Sequence, residues 1–199
     1  MRSVRQQGGR DRVARRRTRF VARFFIACCL SSGSPAAFSQ AGQGVEYPVK
    51  FAFLYNFTKF IEWPPDSYRD AGSPLAICIV GRDPFGPDIK SDLRTRIVGR
   101  HPVEVLDLKL TDTLSACHMV FIPVTEKDQA ARIVRDLKGS ATLTVGESEG
   151  FAALGGVINL TVEGNKVHFE VNQLAAQRAH LKISSKLLSL AKIVTDNVH

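Results

Sequence analysis

The stretch LAICIVGRDPFG, Leu75 to Gly86, decides the fold. Its first six residues are apolar without alternation, the pattern of a strand covered on both faces, so helices must lie above and below it. Gly81 ends the strand, Asp83 offers an N-cap, Pro84 suits a first helical position, and Phe85, Ile89 and Leu93 recur at a spacing of four.

Downstream, Val103 to Leu108 reads as a strand after the Gly99 turn, Thr111 to Ala116 as one helical turn, and His118 to Ile122 as another apolar strand. Thr125 and Asp128 make a capping-box-like start for a helix with Ala130, Ile133, Val134 and Leu137 on one face, closed by Gly139. Thr142 to Val145 is a short strand, and Gly155 and Gly156 introduce a hairpin whose register follows from its turn. With Gly164 and Asn165 at the turn, Glu163 faces Lys166, Val162 faces Val167, Leu160 faces Phe169 and Ile158 faces Val171. Thr161 with His168, and Asn159 with Glu170, then form a polar face. SSKLLSLAKIV, opening at Ser184, is predicted as a closing helix with Leu187, Leu188, Leu190, Ala191 and Val194 on one stripe. The expected fold is α/β: a single three-layer, Rossmann-like domain with a mixed sheet flanked by helices.

Upstream, VKFAFLYNFTKFIEWP crowds six large aromatics between Val49 and Pro64. The spacing predicts a helix from about Val45 to Glu62, stopped at Trp63 because Pro64 and Pro65 cannot continue it. Phe53, Phe57 and Phe60 are the expected core row. Phe51, Tyr55 and Trp63 form a second row, candidates for meeting a second subunit or another protein.

The chain has 199 residues, 44% of them hydrophobic, and a formal charge of +8. Spread over a folded surface, that charge would suggest nucleic acid or an anionic membrane. It is not spread: nine arginines against Asp11 precede residue 24, which accounts for all of the +8 and leaves the remainder neutral. An apolar FFIACCL and the sequence Ala37-Phe38-Ser39 before Gln40 follow, the order of a cleaved export signal. Residues 1–39 are expected to be that signal, and residues 40–199 the mature domain. A nucleic-acid-binding arm, a mitochondrial presequence, or a lipoprotein signal ending at Cys28 are the competing readings. The apolar run is much too short to span a bilayer.

Beyond the leader only Cys78 and Cys117 remain, compatible either with one disulfide or with two buried thiols in adjacent strands. Gly81 to Gly86 sits where open α/β folds bind ligands, at a strand's carboxyl end, yet it matches no phosphate-binding motif and Pro84 removes a donor. No H-E-x-x-H, C-x-x-C or G-x-S-x-G accompanies the histidines and serines of the mature domain, so no catalytic residue, metal site or cofactor is expected. Cys117 and His118 are strand neighbours whose side chains must point to opposite faces. Arg178, His180 and Lys182 would share a face if extended, forming either a small site for an acidic ligand or a solvated edge.

Taken together, the aromatic segment ending in EWP, AICIVGRDPFG, VGRHPVEVLDL, ACHMVFIP, TLTVGESEGFAALGGVINL and KVHFEVNQLAAQRAHLKISSKLLSLAKIV resemble the YfiR family of exported bacterial proteins. The resemblance runs from about Val45 to Val194. It implies a periplasmic repressor that binds the sensory region of an inner-membrane diguanylate cyclase, or a similar membrane sensor, and lowers cyclic di-GMP and biofilm formation. An outer-membrane lipoprotein that sequesters the repressor and a homodimer are further partners it implies, and nucleic acid is not among them. Cys78 and Cys117 fall in the family's cysteine-bearing segments, while a second pair that some members carry near Gly150 is absent, so redox control would rest on one bridge. The alternative function is a periplasmic small-molecule sensor using the Gly81 to Gly86 turn.

Overall fold

The computed structural model describes residues 40–93 and 95–196, with side chains from Val45 onward. The expected export leader lies outside the described residues. The elements are helix α1 (Gln40–Thr58), strands β1 (Ile61–Glu62) and β2 (Leu75–Val80), helix α2 (Gly86–Ser91), strands β3 (Ile97–Val98), β4 (His101–Leu108) and β5 (Met119–Ile122), and helix α3 (Lys127–Asp136). Strands β6 (Leu143–Gly146), β7 (Ile158–Glu163) and β8 (Lys166–Asn172), helix α4 (Gln173–Arg178), strand β9 (Lys182–Ile183), helix α5 (Ser185–Leu188) and strand β10 (Lys192–Val194) complete the domain.

Eight strands form one mixed sheet in the order β10-β8-β7-β6-β5-β2-β4-β3. β4, β2, β5, β6 and β7 run parallel, and the β7–β8 hairpin and the β3–β4 pair are antiparallel. The two faces of β2 explain its unbroken apolar run. Leu75, Ile77 and Ile79 join a core with Phe51, Leu54 and Phe57 of α1, whereas Ala76, Cys78 and Val80 join a separate core with Ala130 and Ile133 of α3. The three layers expected from LAICIV are present, and the hairpin register is the one derived from Gly164 and Asn165, with Asn165 at φ 61°.

Helix α3 starts at Lys127 with no side-chain cap, so Thr125 and Asp128 form no capping box, and 111–116 holds turns but no helix; three further segments depart more widely. Helix α1 begins at Gln40, runs through Pro48 and stops at Thr58, whose hydroxyl donates to the Tyr55 carbonyl at 2.6 Å. Ile61–Glu62 is instead extended and pairs antiparallel with Lys182–Ile183, because burial of Ile61 and the ladder bonds to β9 outweigh one more helical turn. Helix α2 begins only at Gly86, whose φ of 76° breaks continuity with Pro84. The Asp83 carboxylate accepts from Phe85 N–H at 2.8 Å and Gly86 N–H at 3.2 Å, so it shapes the turn rather than capping a longer helix. The closing helix is one turn, capped by Ser184, after which Lys192–Val194 pairs parallel with Glu170–Asn172. Strand β8 would otherwise present an open edge, and covering it is worth more than extending a short helix. Leu190 is consequently 71% exposed rather than part of a buried stripe.

The core row of α1 also differs. Phe51, Leu54 and Phe57 are buried and Phe53 and Phe60 only half-buried, so the row is spaced by three along the helix. Phe51 meets Phe85 at 4.8 Å between ring centroids, and Phe85 meets Phe121 at 5.0 Å, an aromatic chain from α1 to the middle of the sheet.

Candidate functional site

Cys78 and Cys117 form a disulfide. Cys78 lies in the middle of β2 and Cys117 just before β5, and both point into the core beneath α3, 0% and 4% exposed. The bridge is therefore placed to hold two central strands together. Next to it, in the bend before β5, His118 turns its ring toward Trp63 and Tyr68. Its Nδ1 accepts from the Ala76 N–H at 3.1 Å, which makes Nε2 the protonated nitrogen of the neutral ring. Tyr68 stacks on His118 at 4.5 Å and on His101 at 3.8 Å. Burial pushes the His118 pKa below its ordinary value, and the Ser67 carbonyl opposes that shift without closing a hydrogen bond to Nε2.

The row expected to face a partner is not one surface. Phe51 is 3% exposed and belongs to the core, because it points at Phe85. Tyr55 is half-buried, with the Lys59 ammonium 4.0 Å and the Arg96 guanidinium 5.8 Å from its ring centroid. Trp63 donates its indole N–H to the His118 carbonyl at 3.0 Å, so it anchors the chain after α1 to the start of β5.

The strand-end turn is also occupied by the protein's own groups. At Gly81, φ is 77° and a Cβ would stand 2.5 Å from the Glu126 carboxylate, which therefore covers the turn between β2 and β5. This is the switch point, where the crossover from β2 runs to β4 on one side and that from the adjacent β5 runs to β6 on the other. A carboxylate there repels the anions that such turns usually hold. Asp83 is paired with Lys90 at 2.7 Å, and Lys90 also meets Asp107 of β4 at 2.6 Å. Burial acts to lower the Lys90 pKa, but the hydrogen bonds to Asp107 and Asp83 outweigh it and hold the ammonium above its usual value. The turn is thus a structural one, joining β2, α2 and β4.

Arg178, His180 and Lys182 do not share a face. Arg178 ends α4 and pairs with Asp196 at 2.7 Å; His180 has φ 55°, which turns the chain; Lys182 lies in the β1–β9 ribbon, 3.9 Å from Glu62 and exposed. An extended segment was required for the three to converge, and α4 with the His180 turn replaces it. Arg178 instead borders a cleft of about 700 Å³ between α3 and α4, and His180 a different one of about 640 Å³ beside Cys117 and His118.

Two polar centres carry no sequence motif. Asn172, fully buried, accepts from the Ala175 N–H at 2.9 Å as the N-cap of α4, and donates to the Ala152 carbonyl at 2.8 Å and to Asp196. Burial alone would raise the Asp196 pKa, and the Arg178 and Asn172 contacts reverse that. Lys50 of α1 pairs with Glu46 one turn earlier and with Glu147, just after β6, at 2.6 Å. The Glu46 and Lys50 spacing is visible in the sequence; Glu147 is brought there only by the sheet. Among the described residues no cluster of His, Cys, Asp and Glu is arranged to hold a metal, and no helix is long and apolar enough to cross a membrane.

A conserved domain protein from Vibrio cholerae O1 biovar El Tor has a solved structure similar to this fold, with a TM-score of 0.52 at 8% identity over 75% of this chain and 60% of that one. This chain spans about 60% of that protein's length, and at such low identity the likeness is one of fold. The profile of the YfiR/HmsC-like family matches residues 47–192, from α1 to the first residue of β10. The family is one of periplasmic, non-catalytic regulators of diguanylate cyclases. A match of that extent takes in almost the whole α/β domain, and the chain belongs to the YfiR/HmsC-like family.

Proposed function

We propose that this chain is exported to the periplasm, loses its leader near Gln40, and represses an inner-membrane diguanylate cyclase by binding its periplasmic sensory region. The observation that carries this reading is the extent of the family match, which covers both sheet faces and the disulfide rather than one motif. Export is supported by the arginine-rich leader and the oxidised cysteine pair, since disulfides persist outside the reducing cytoplasm. Repression needs no catalytic group: a ligand that prefers the inactive sensor conformation shifts the cyclase by its difference in affinity for the two states. The buried bridge serves this role by adding stability to the binding protein, and Cys78 and Cys117, 0% and 4% exposed, meet a reductant only when the core opens.

The test is capture from a detergent-solubilised envelope by the purified mature domain. It should retain a membrane protein with a periplasmic sensory region and a cytoplasmic cyclase domain, and removal of the gene should raise cellular cyclic di-GMP. Unchanged cyclic di-GMP, with the protein found in the cytoplasm, would end the proposal.

A further inference from the structure

Two histidines hold the chain where it enters β2, and they do so in opposite senses. His101, at the start of β4, is hydrogen-bonded through Nδ1 to the Ser73 carbonyl at 2.7 Å; a carbonyl only accepts, so this nitrogen carries a proton. His118 does the reverse. Its Nδ1 accepts from the Ala76 N–H at 3.1 Å, while its own backbone N–H donates to the Ala76 carbonyl at 3.0 Å. Protonation of the rings leaves the Ser73 bond intact and abolishes the Ala76 one, because an Nδ1–H would face the Ala76 N–H donor to donor.

The same ring holds the loop between β1 and β2. Tyr68 lies sandwiched between His118 and His101, 4.5 and 3.8 Å between ring centroids, and Trp63 donates to the His118 carbonyl at 3.0 Å. Yet the closed loop leaves Ser67 Oγ and His118 Nε2 buried without hydrogen-bond partners, and both residues border the cleft of about 640 Å³. Opening the loop hydrates both atoms, which offsets part of the stacking gained on closure. The titratable groups around His118 are Tyr68 of the loop, whose phenol burial keeps neutral, His101 of β4 behind it, and Asp66 and His180 on the cleft lining. A charge on either of the other histidines opposes one on His118, and Asp66 favours it.

We propose that His118 is an acid-sensitive latch: taking up a proton at Nδ1 releases Ala76 and frees the loop from Pro64 to Ser73, while the sheet stays folded. The proton comes from solvent, and Nε2 keeps the one it has. Burial holds the closed ring below its ordinary 6.5, so the open loop binds the proton more tightly and gains population as pH falls through that value, at most about tenfold per pH unit. The latch is a property of the domain alone, so its failure leaves the regulatory proposal standing.

Trp63 is the one tryptophan of the chain and stands edge-on to the His118 ring at 6.3 Å, so its emission reports the latch. Fluorescence, far-UV circular dichroism and hydrogen exchange, corrected for the intrinsic pH dependence, are followed in the exported protein from about pH 8 to about pH 4.5. Trp63 emission should change in one step centred below 6.5, and peptides covering 63–76 should lose protection over the same range at unchanged dichroism. His118→Asn, whose amide oxygen still accepts from Ala76 but takes up no proton, should abolish both changes. His180→Asn, which tolerates the φ of 55° there, should leave both in place. Constant emission and exchange, changes that appear only with loss of dichroism, a transition that survives in His118→Asn, or one lost in His180→Asn would each overturn the proposal. If His118→Asn fails to fold, NMR titration of the native protein decides: the loop amides should titrate together with the His118 ring, and titration with His101 or His180 instead refutes the latch.

Discussion

Reducing the Cys78–Cys117 bridge should cost this protein about 4 kcal/mol of stability while leaving the native structure in place. The two half-cystines are 39 residues apart, and closing a loop of that length removes roughly 13 cal/mol/K of entropy from the unfolded chain, which at room temperature gives the figure of about 4 kcal/mol. Against a typical total of about 5–15 kcal/mol, that is a large share. The native state should tolerate reduction, since both sulfurs sit in an apolar layer where thiols act as small hydrophobes. Urea denaturation of oxidised and reduced protein, with thiol content verified by mass, measures the difference. The reduced form should also show a larger m-value, because its unfolded state is more expanded. Cys78→Ala with Cys117→Ala should lose somewhat more than reduction does, through the deleted sulfurs. A difference below about 1 kcal/mol would show that the loop-closure reasoning does not apply here. Loss of native circular dichroism on reduction would show instead that the bridge holds the folded state itself.

Gly146→Ala should cost about 1–3 kcal/mol by overpacking, since its Cβ would stand 2.4 Å from the Phe151 ring. Combined with Phe151→Ala it should cost less than the sum of the two, and strict additivity in denaturation would mean the ring does not lie on the glycine. Asn172→Ala should cost roughly 2–4 kcal/mol, combining a lost helix cap with orphaned partners at Ala152 and Asp196; Asn172→Asp should recover the cap alone. His118 is depressed below its ordinary 6.5, so the unfolded state takes up the proton first as pH falls. Its contribution is complete above 6.5 and is lost from there toward the folded value, at no more than about 1.4 kcal/mol per pH unit. His118→Asn should flatten that slope in a pH series of melts, and an unchanged slope would assign it to other groups.

LAICIV was sufficient to read three layers, because a strand covered on both faces leaves no other arrangement, and the hairpin register followed from a two-residue turn with fixed side-chain alternation. The ends of α1 and α5 were not legible for a different reason: Ile61–Glu62 and Lys192–Val194 are extended only because β9 and β8 offer open edges, and neither partner is local in sequence. The aromatic row was misread by one helical position, since the run supplies an aromatic to either stripe and only the placement of Phe85 favours Phe51. Arg178, His180 and Lys182 looked convergent on the assumption of a strand. The Lys50 and Glu147 pair could not be found beforehand, because helix and loop meet there only through the sheet order.

Repression is proposed to act through contact with the sensory region of a membrane cyclase. Its most direct test is the rate of cyclic di-GMP synthesis by the full-length cyclase, reconstituted in vesicles with its sensory region outward and nucleotide enclosed, as purified mature protein is added outside. Synthesis should fall saturably, and the fall should be abolished when the cyclase lacks its sensory region. Synthesis unchanged at saturating protein, or inhibited equally without that region, would contradict it.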